Sequence, residues 1–185
     1  MRSLKPLVGL AVAIFFTACQ SETYHIRGEA WQLPTGSVLY LTDDLNDSDR
    51  PFDSIVVVDG RFSFQGLAAE PRLCRLYLPD DPQQGITFFT EPGNIYVEML
   101  LKSGSSRVSG TIINNRWQAL NDSVTKYDLR IRDIIESAND SIAPNRRFEE
   151  TQRLYTALTR LIRETASQNM DNALGHFISS HYEGE

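Results

Sequence analysis

The sequence predicts an α+β protein in which an antiparallel β-sandwich or partly open barrel precedes an α-helical hairpin. Two observations predict this fold. Between residues 24 and 109, apolar and polar residues alternate with a period of two, and Gly, Pro, Asn and Asp separate the alternating segments, which is typical of short strands joined by turns. After Gly110 the apolar residues recur every three or four positions, which is the period of an amphipathic helix.

About seven short strands are expected in the β segment. The clearest alternating segments are residues 24–28, 38–41 and 73–78. The strongest local signal lies in residues 55–64, where Asp59 and Gly60 supply the two positive-φ positions of a type I′ turn and predict a β-hairpin. A Pro-Gly-Asn sequence within residues 91–94 predicts a second hairpin.

Two long helices and one short helix are expected in the second half of the chain. The first apolar stripe consists of Trp117, Leu120, Val124, Tyr127, Ile131 and Ile134. The second consists of Phe148, Thr151, Leu154, Tyr155, Leu158, Leu161 and Ile162. Residues 139–145 break the period, and such a short connection favours an antiparallel hairpin. A further short helix is predicted over residues 173–182.

The first nineteen residues predict a bacterial lipoprotein leader. Arg2 and Lys5 precede an apolar run over residues 7–16, and Thr17-Ala18 lead into Cys19. The apolar run is too short for a transmembrane helix, which needs roughly 20 residues. We therefore expect a signal peptide over residues 1–18, and at Cys19 a thioether diacylglycerol plus an amide-linked fatty acid such as palmitate. The predicted domains are then a tether over residues 19–23, a β domain over 24–110 and a helical segment over 111–185.

The composition argues against a nucleic-acid partner. The chain carries 18 basic and 24 acidic residues, a formal charge of −6. Removal of residues 1–18 takes away two basic residues, which leaves 18 − 2 = 16 basic residues and a charge of −8. A surface of this sign offers no electrostatic footprint for phosphates. Because it also repels anionic lipid, the N-terminal lipid is expected to hold the protein at the membrane.

Cysteine content bears on redox chemistry. With Cys19 acylated, only Cys74 remains, so no intramolecular disulfide forms even in an oxidising periplasm, and there is no Cys-x-x-Cys. Cys74 alternates with Leu76 and Leu78, which predicts a buried, inert thiol on the apolar face of a strand. A reactive or resolving cysteine is the alternative.

No pattern of residues predicts catalysis, a metal or a cofactor. The acidic loop over residues 43–49 does not fit a calcium-binding loop, because position six is Asp49 rather than Gly and position twelve is Ile55 rather than Glu. His176 and His181 are five residues apart and diverge by about 140° on a helix, and His25 lies far away in sequence. The sequence therefore predicts a protein that is not an enzyme and has no metal site.

Three Asp-Ser-apolar tripeptides resemble an Asp-Ser/Thr-apolar acceptor motif for bacterial O-glycosylation, and this resemblance implies candidate modification sites. They begin at Asp53, Asp122 and Asp140. Ser54 and Ser141 are the candidate acceptors, since Ser123 falls within a predicted helix. Asp-Ser pairs are also common in turns and at helix starts, which is the alternative explanation.

The β segment also resembles a known, uncharacterised domain. The residues that carry the resemblance are 24–28, 36–41 and 53–66, in which Gly, Asp and aromatic positions occur in the order of that family. The family domain stands at the N-terminus of many Bacteroidetes lipoproteins, usually ahead of a thioredoxin-like (thiol peroxidase-type) domain. The resemblance covers about residues 23–110. The helical segment is similar to the linker helices of the same family, and residues 169–175 are similar to the approach to the redox domain.

The resemblance implies a link to thiol–disulfide exchange that no residue of this chain carries, because the cysteine pair is absent. Two interpretations stay open: a stand-alone version of the N-terminal module, or a truncated reading frame of a longer redox lipoprotein.

The sequence thus predicts a lipid-anchored cell-envelope protein, at the outer membrane, that acts as a non-enzymatic binding or scaffolding module. Its expected partners are the membrane and an envelope protein, peptide or glycan. The alternative is an accessory or truncated N-terminal module of a thiol–disulfide oxidoreductase lipoprotein. Four aromatic residues would serve a glycan or peptide site if they face outward, namely Trp31, Tyr40, Phe52 and Tyr77.

Overall fold

A computed structural model describes residues 22–44, 50–68, 70–101, 106–136 and 144–182. Within these ranges the chain forms eight strands and three helices. The strands are β1 Thr23–Glu29, β2 Val38–Asp43, β3 Asp53–Val56, β4 Arg61–Leu67, β5 Leu73–Leu78, β6 Asp81–Phe89, β7 Gly93–Glu98 and β8 Arg107–Ser109. The helices are α1 Ile112–Glu136, α2 Pro144–Ser167 and α3 Ala173–Tyr182.

The strands form two four-stranded sheets, which confirms the predicted fold class. Sheet A has the order β4-β1-β7-β8, and sheet B has the order β3-β2-β5-β6. All pairs are antiparallel except β1 and β7, which run parallel. Large apolar side chains that alternate along the strands fill the space between the sheets. They include Ile26, Leu41, Leu76, Phe88 and Ile95, all at most 1% exposed.

The turn predicted at Asp59-Gly60 is confirmed, but the hairpin around it is wrong. Asp59 has φ 49° and Gly60 has φ 69°, as a type I′ turn requires. Val58 and Arg61 exchange two backbone hydrogen bonds of 2.9 Å across the turn. Beyond that pair the strands separate, because β3 pairs with β2 in sheet B and β4 pairs with β1 in sheet A.

The hairpin predicted at residues 91–94 is also wrong. β6 belongs to sheet B, whereas β7 belongs to sheet A and pairs with β1 and β8. Both connections are therefore arches that carry the chain from one sheet to the other. A turn sequence sets the local direction of the chain, and the strand partner is chosen by the apolar face that must be buried.

The helices α1 and α2 are antiparallel. Arg130 of α1 lies 3.1 Å from Glu150 at the start of α2, and Arg116 donates a 2.7 Å hydrogen bond to Asn169, just beyond the end of α2. The predicted stripe of α1 is largely buried, but two members of the predicted stripe of α2 are not. Phe148 is 67% exposed and Tyr155 is 47% exposed. Since α2 packs mainly on α1 and α3, only a narrow side of it is covered.

Candidate binding groove

The first half of α1 covers one side of the sandwich, where the edge strands β6 and β8 would otherwise expose backbone groups. The Trp117 indole donates a 2.9 Å hydrogen bond to the carbonyl of Thr87 in β6. The Gln118 side chain accepts a 2.8 Å hydrogen bond from the backbone N–H of Val108 in β8. This side is therefore sealed by helical side chains that replace the missing neighbour strands.

Asn114 makes the deepest of these contacts. Its side-chain oxygen accepts a 2.8 Å hydrogen bond from the N–H of Phe89, and its side-chain nitrogen donates a 2.8 Å hydrogen bond to the carbonyl of Phe89. The same nitrogen also donates to the hydroxyl of Thr111, and the backbone N–H of Asn114 donates to the carboxylate of Glu91 at 3.0 Å. Asn114 is fully buried, so it fixes the start of α1 to the end of β6.

A groove of about 1190 Å³ lies over the outer face of sheet A. Its floor consists of outward-facing residues of all four strands. One wall is α1, at Gln118 and Asp122, and the opposite wall is the end of β3 with the exposed side chains of Val56 and Val58. Because α1 and β3 flank the two edges of the sheet, the groove runs along the strands between them.

The floor of the groove is arranged in two cross-strand rows. In one row Arg27 lies between Ser63 and Tyr96. In the other row Glu29 lies between Arg61 and Glu98. Side chains that face each other across neighbouring strands have Cβ atoms about 5 Å apart, so each row presents a continuous line of polar groups.

Two ion pairs hold part of this surface in place. The Arg107 guanidinium contacts both carboxylate oxygens of Asp122, at 2.8 and 3.3 Å. Hydrogen bonds from Arg107, and to a smaller extent a 2.8 Å hydrogen bond from Gln118, hold the pKa of Asp122 below its usual range. Arg61 lies 4.0 Å from Glu29. The strand β8 is thereby linked to the helical wall of the groove.

Arg27 and Glu98 differ from these pairs. Among the residues that the structure describes, neither has an ion-pair partner, and both line the groove. A cationic and an anionic side chain therefore lie on adjacent strands without an ion-pair partner among the described residues.

Tyr96 supplies an aromatic surface beside Arg27. Its side chain is 46% exposed and lines the groove. The ring lies against Gly110, where an added Cβ would come within 2.7 Å of it, and Gly110 adopts φ 107°. A side chain at Gly110 would displace the ring, so glycine at this position leaves the space that the Tyr96 ring occupies.

Of the four aromatic residues singled out by the sequence, only Trp31 borders the groove: its indole N–H donates a 3.0 Å hydrogen bond to Glu29 in the floor. Trp31 and Phe52 are exposed, and each lies beneath an arginine: Arg61 is 5.1 Å from the Trp31 ring and Arg72 is 5.2 Å from the Phe52 ring. Tyr40 and Tyr77 are half-buried and pack edge to face on sheet B, with ring centroids 6.1 Å apart. The structure does not bring these four residues together.

Tyr96, the exposed aromatic residue in the floor of the groove, was not predicted from the sequence. The available signal was its position between Ile95 and Val97, both buried, which places the Tyr96 ring on the outward face. The sequence pattern did not show that α1 would pack beside sheet A and form a wall of the groove.

Cys74 is buried, as predicted. Its side chain is fully inaccessible, and its thiol lies 3.9 Å from the hydroxyl of Thr90. Burial raises the pKa of the Cys74 thiol to about 12. Since the thiolate is the reactive form of cysteine, a pKa this high makes the residue inert near neutral pH.

Of the predicted modification sites, the structure describes Ser54 but neither Cys19 nor Ser141. Ser54 is exposed on β3, an edge strand of sheet B. Cys19 and Ser141 lie outside the described residues, as does most of the acidic loop over 43–49. In the described ranges no group of three His, Cys, Asp or Glu side chains is arranged to hold a metal ion. No helix in those ranges is long and apolar enough to cross a membrane.

One protein family matches this arrangement. The family is described as a domain of unknown function, DUF4369, and its model matches residues 24–117, just over half of the 185-residue chain. The chain belongs to the DUF4369 family. The match takes in both sheets and the start of α1, so the DUF4369 domain includes Asn114 and Trp117 as well as the floor of the groove. No curated protein matches the chain.

Proposed function

We propose that this DUF4369 protein is a lipid-anchored, non-enzymatic binding module of the cell envelope, and that the groove over sheet A is its binding surface. The groove is the observation that carries the proposal. It combines a fixed aromatic ring at Tyr96 with Arg27 and Glu98, which offer a charged donor and a charged acceptor on adjacent strands.

A saccharide is the ligand class that this chemistry favours. A sugar ring has an apolar face, which packs on an aromatic ring, and hydroxyl groups at its edge that both donate and accept hydrogen bonds. The groove supplies both kinds of polar partner without a strong excess of either charge. We therefore favour an envelope glycan over a peptide.

Replacement of Tyr96 tests this proposal. In a titration of soluble envelope oligosaccharides followed by calorimetry, the Tyr96→Ala protein should bind at least about tenfold more weakly than the parent, since aromatic contacts contribute more than their buried area. Tyr155→Ala is the matched control, because Tyr155 is 47% exposed on α2 and lies away from the groove. Equal affinity of the parent and Tyr96→Ala proteins, or no binding of any oligosaccharide to the parent, contradicts the proposal.

The cellular location is part of the proposal and is supported by the sequence. The leader that ends at Cys19 favours attachment to the outer membrane, with Gln20 rather than Asp after the cysteine. We further propose that the chain corresponds to the N-terminal domain of the Bacteroidetes lipoproteins that carry a thioredoxin-like domain. O-glycosylation at Ser54 and Ser141 stays a prediction.

The alternative role, beside or within a thiol–disulfide oxidoreductase, gains no support from Cys74. In the folded protein at pH 8 we expect Cys74 to react with a maleimide orders of magnitude more slowly than in urea, because the thiol is buried and its pKa is about 12. Mass spectrometry of the labelled protein measures this difference. Rapid labelling of Cys74 in the folded state would instead favour the redox role.

A further inference from the structure

The two sides of the sandwich at which the sheets end differ in how their edge strands are covered. On one side the edge strands β6 and β8 are capped by Asn114, Trp117 and Gln118 of α1. On the other side lie the edge strands β3 and β4. At the start of β4, Arg61 exchanges two backbone hydrogen bonds with Val58. Among the described residues, no helix or side chain hydrogen-bonds the outward backbone groups of the rest of β4.

Along β4, residues whose backbone groups bond to β1 alternate with residues whose backbone groups point away from the sheet. β4 pairs with β1 along all seven of its residues. Ala30 donates to the carbonyl of Gly60, and Ala68 donates to the carbonyl of Glu22, at 2.7 and 2.6 Å. In an antiparallel ladder such bonds recur at every second residue. Consequently Phe62, Phe64 and Gly66 face β1, and the N–H and C=O groups of Ser63, Gln65 and Leu67 point away from the sheet.

β4 lacks the features that usually block an edge strand. It contains no Pro, no Lys and no acidic residue, and its register with β1 has no bulge. The exposed side chains of Val56, Val58 and Leu67 lie along the same side of the sandwich. The free part of this edge, from Ser63 to Leu67, is regular and has apolar neighbours, so it is a template for pairing with another strand.

We propose that a second copy of this chain pairs through β4, antiparallel to itself and centred on Gln65. In this register Gln65 lies opposite the partner's Gln65, and Ser63 lies opposite the partner's Leu67. The three outward N–H groups and three outward C=O groups of each β4 then all find partners. The two sheets A become one eight-stranded sheet, and the contact has the two-fold symmetry of most homodimers.

Charge favours a second copy as the occupant. The chain carries a formal charge of −6, so most of its surface repels another copy. The outward side chains of β4 from Ser63 to Leu67 are uncharged. Self-pairing at this edge therefore brings no like charges directly opposite each other, which would be destabilising elsewhere on the molecule.

The register also keeps the two N-terminal ends close together. Thr23 lies opposite Leu67 in sheet A. The two Thr23 residues of the pair are then about 14 Å apart along the strands and about 14 Å across three strand spacings, or about 20 Å in all. The four residues from Glu22 to Cys19 reach at most about 13 Å from Thr23, so both ends reach one membrane surface. Only this last point uses the proposed anchor.

Cross-linking of single cysteines in the full chain, in intact producing cells, tests the register. Gln65→Cys should be converted to a covalent dimer by a short bifunctional thiol reagent, because the two positions face each other. His25→Cys is the matched control: it is equally exposed on the same face, but it lies one strand inward from Gln65 and should stay monomeric. Ser63→Cys and Leu67→Cys should each stay monomeric alone and should cross-link when produced together.

Treating the unsubstituted protein with the same reagent tests the lipid anchor independently of the pairing through β4. Cys74 is buried, so the parent gives no dimer if Cys19 is acylated, and a dimer of the parent shows a free thiol at Cys19. A monomeric Gln65→Cys protein overturns the proposed pairing. The pairing is also contradicted if His25→Cys cross-links as readily as Gln65→Cys, because cross-linking at both positions would then result from random collisions.

Discussion

Replacing Asn114 with leucine is expected to lower the free energy of unfolding by about 4 kcal/mol. Leucine has a similar volume but leaves the N–H and the C=O of Phe89 without their partners inside the protein. Each buried backbone group that loses its hydrogen bond costs roughly 1–3 kcal/mol. Because domains of this size are stable by only about 5–15 kcal/mol, the loss should remove a large fraction of the total stability.

Urea denaturation followed by tryptophan fluorescence measures this loss, since Trp117 is buried one turn after Asn114. Asn115→Leu is the control. The Asn115 side chain accepts one exposed hydrogen bond, from Gly110, so its replacement should cost about 1 kcal/mol or less. Equal unfolding midpoints for the two variants would show that Asn114 does not secure α1 to β6.

Local patterns predicted most of the strands and helices but not the assignment of strands to sheets. Val57 explains why. It is fully buried between the exposed residues Val56 and Val58, so the alternation runs without interruption into the Asp59-Gly60 turn. A hairpin and an arch between sheets both preserve this alternation. What distinguishes them is the partner of each strand, and that choice depends on residues far away in sequence, such as the pairing of β1 with β4 and β7.

The candidate site was less predictable for the same reason. The groove is formed by four strands that are not consecutive in the chain and by a helix that follows them. Tyr96 and Arg27 lie 69 positions apart in sequence and meet only through the parallel pairing of β1 and β7. The burial of Asn114 could not be predicted either, since asparagine side chains are mostly exposed.

The second large effect concerns Cys19. Replacing Cys19 with serine should release the protein from the membrane fraction almost completely, because the hydroxyl does not replace the thiol as the acceptor of the diacylglycerol. Each buried methylene contributes about 0.8 kcal/mol, and two or more chains give stable anchoring. Cys74→Ser is the control for the loss of a cysteine, and it should leave the protein membrane-bound.

Intact-mass spectrometry of the protein extracted from membranes tests the anchor most directly. We expect a chain that begins at Cys19 and carries the added mass of a diacylglycerol and one amide-linked fatty acid. The unmodified mass of a chain that still contains residues 1–18, or of a chain cut in this region without lipid, would contradict it.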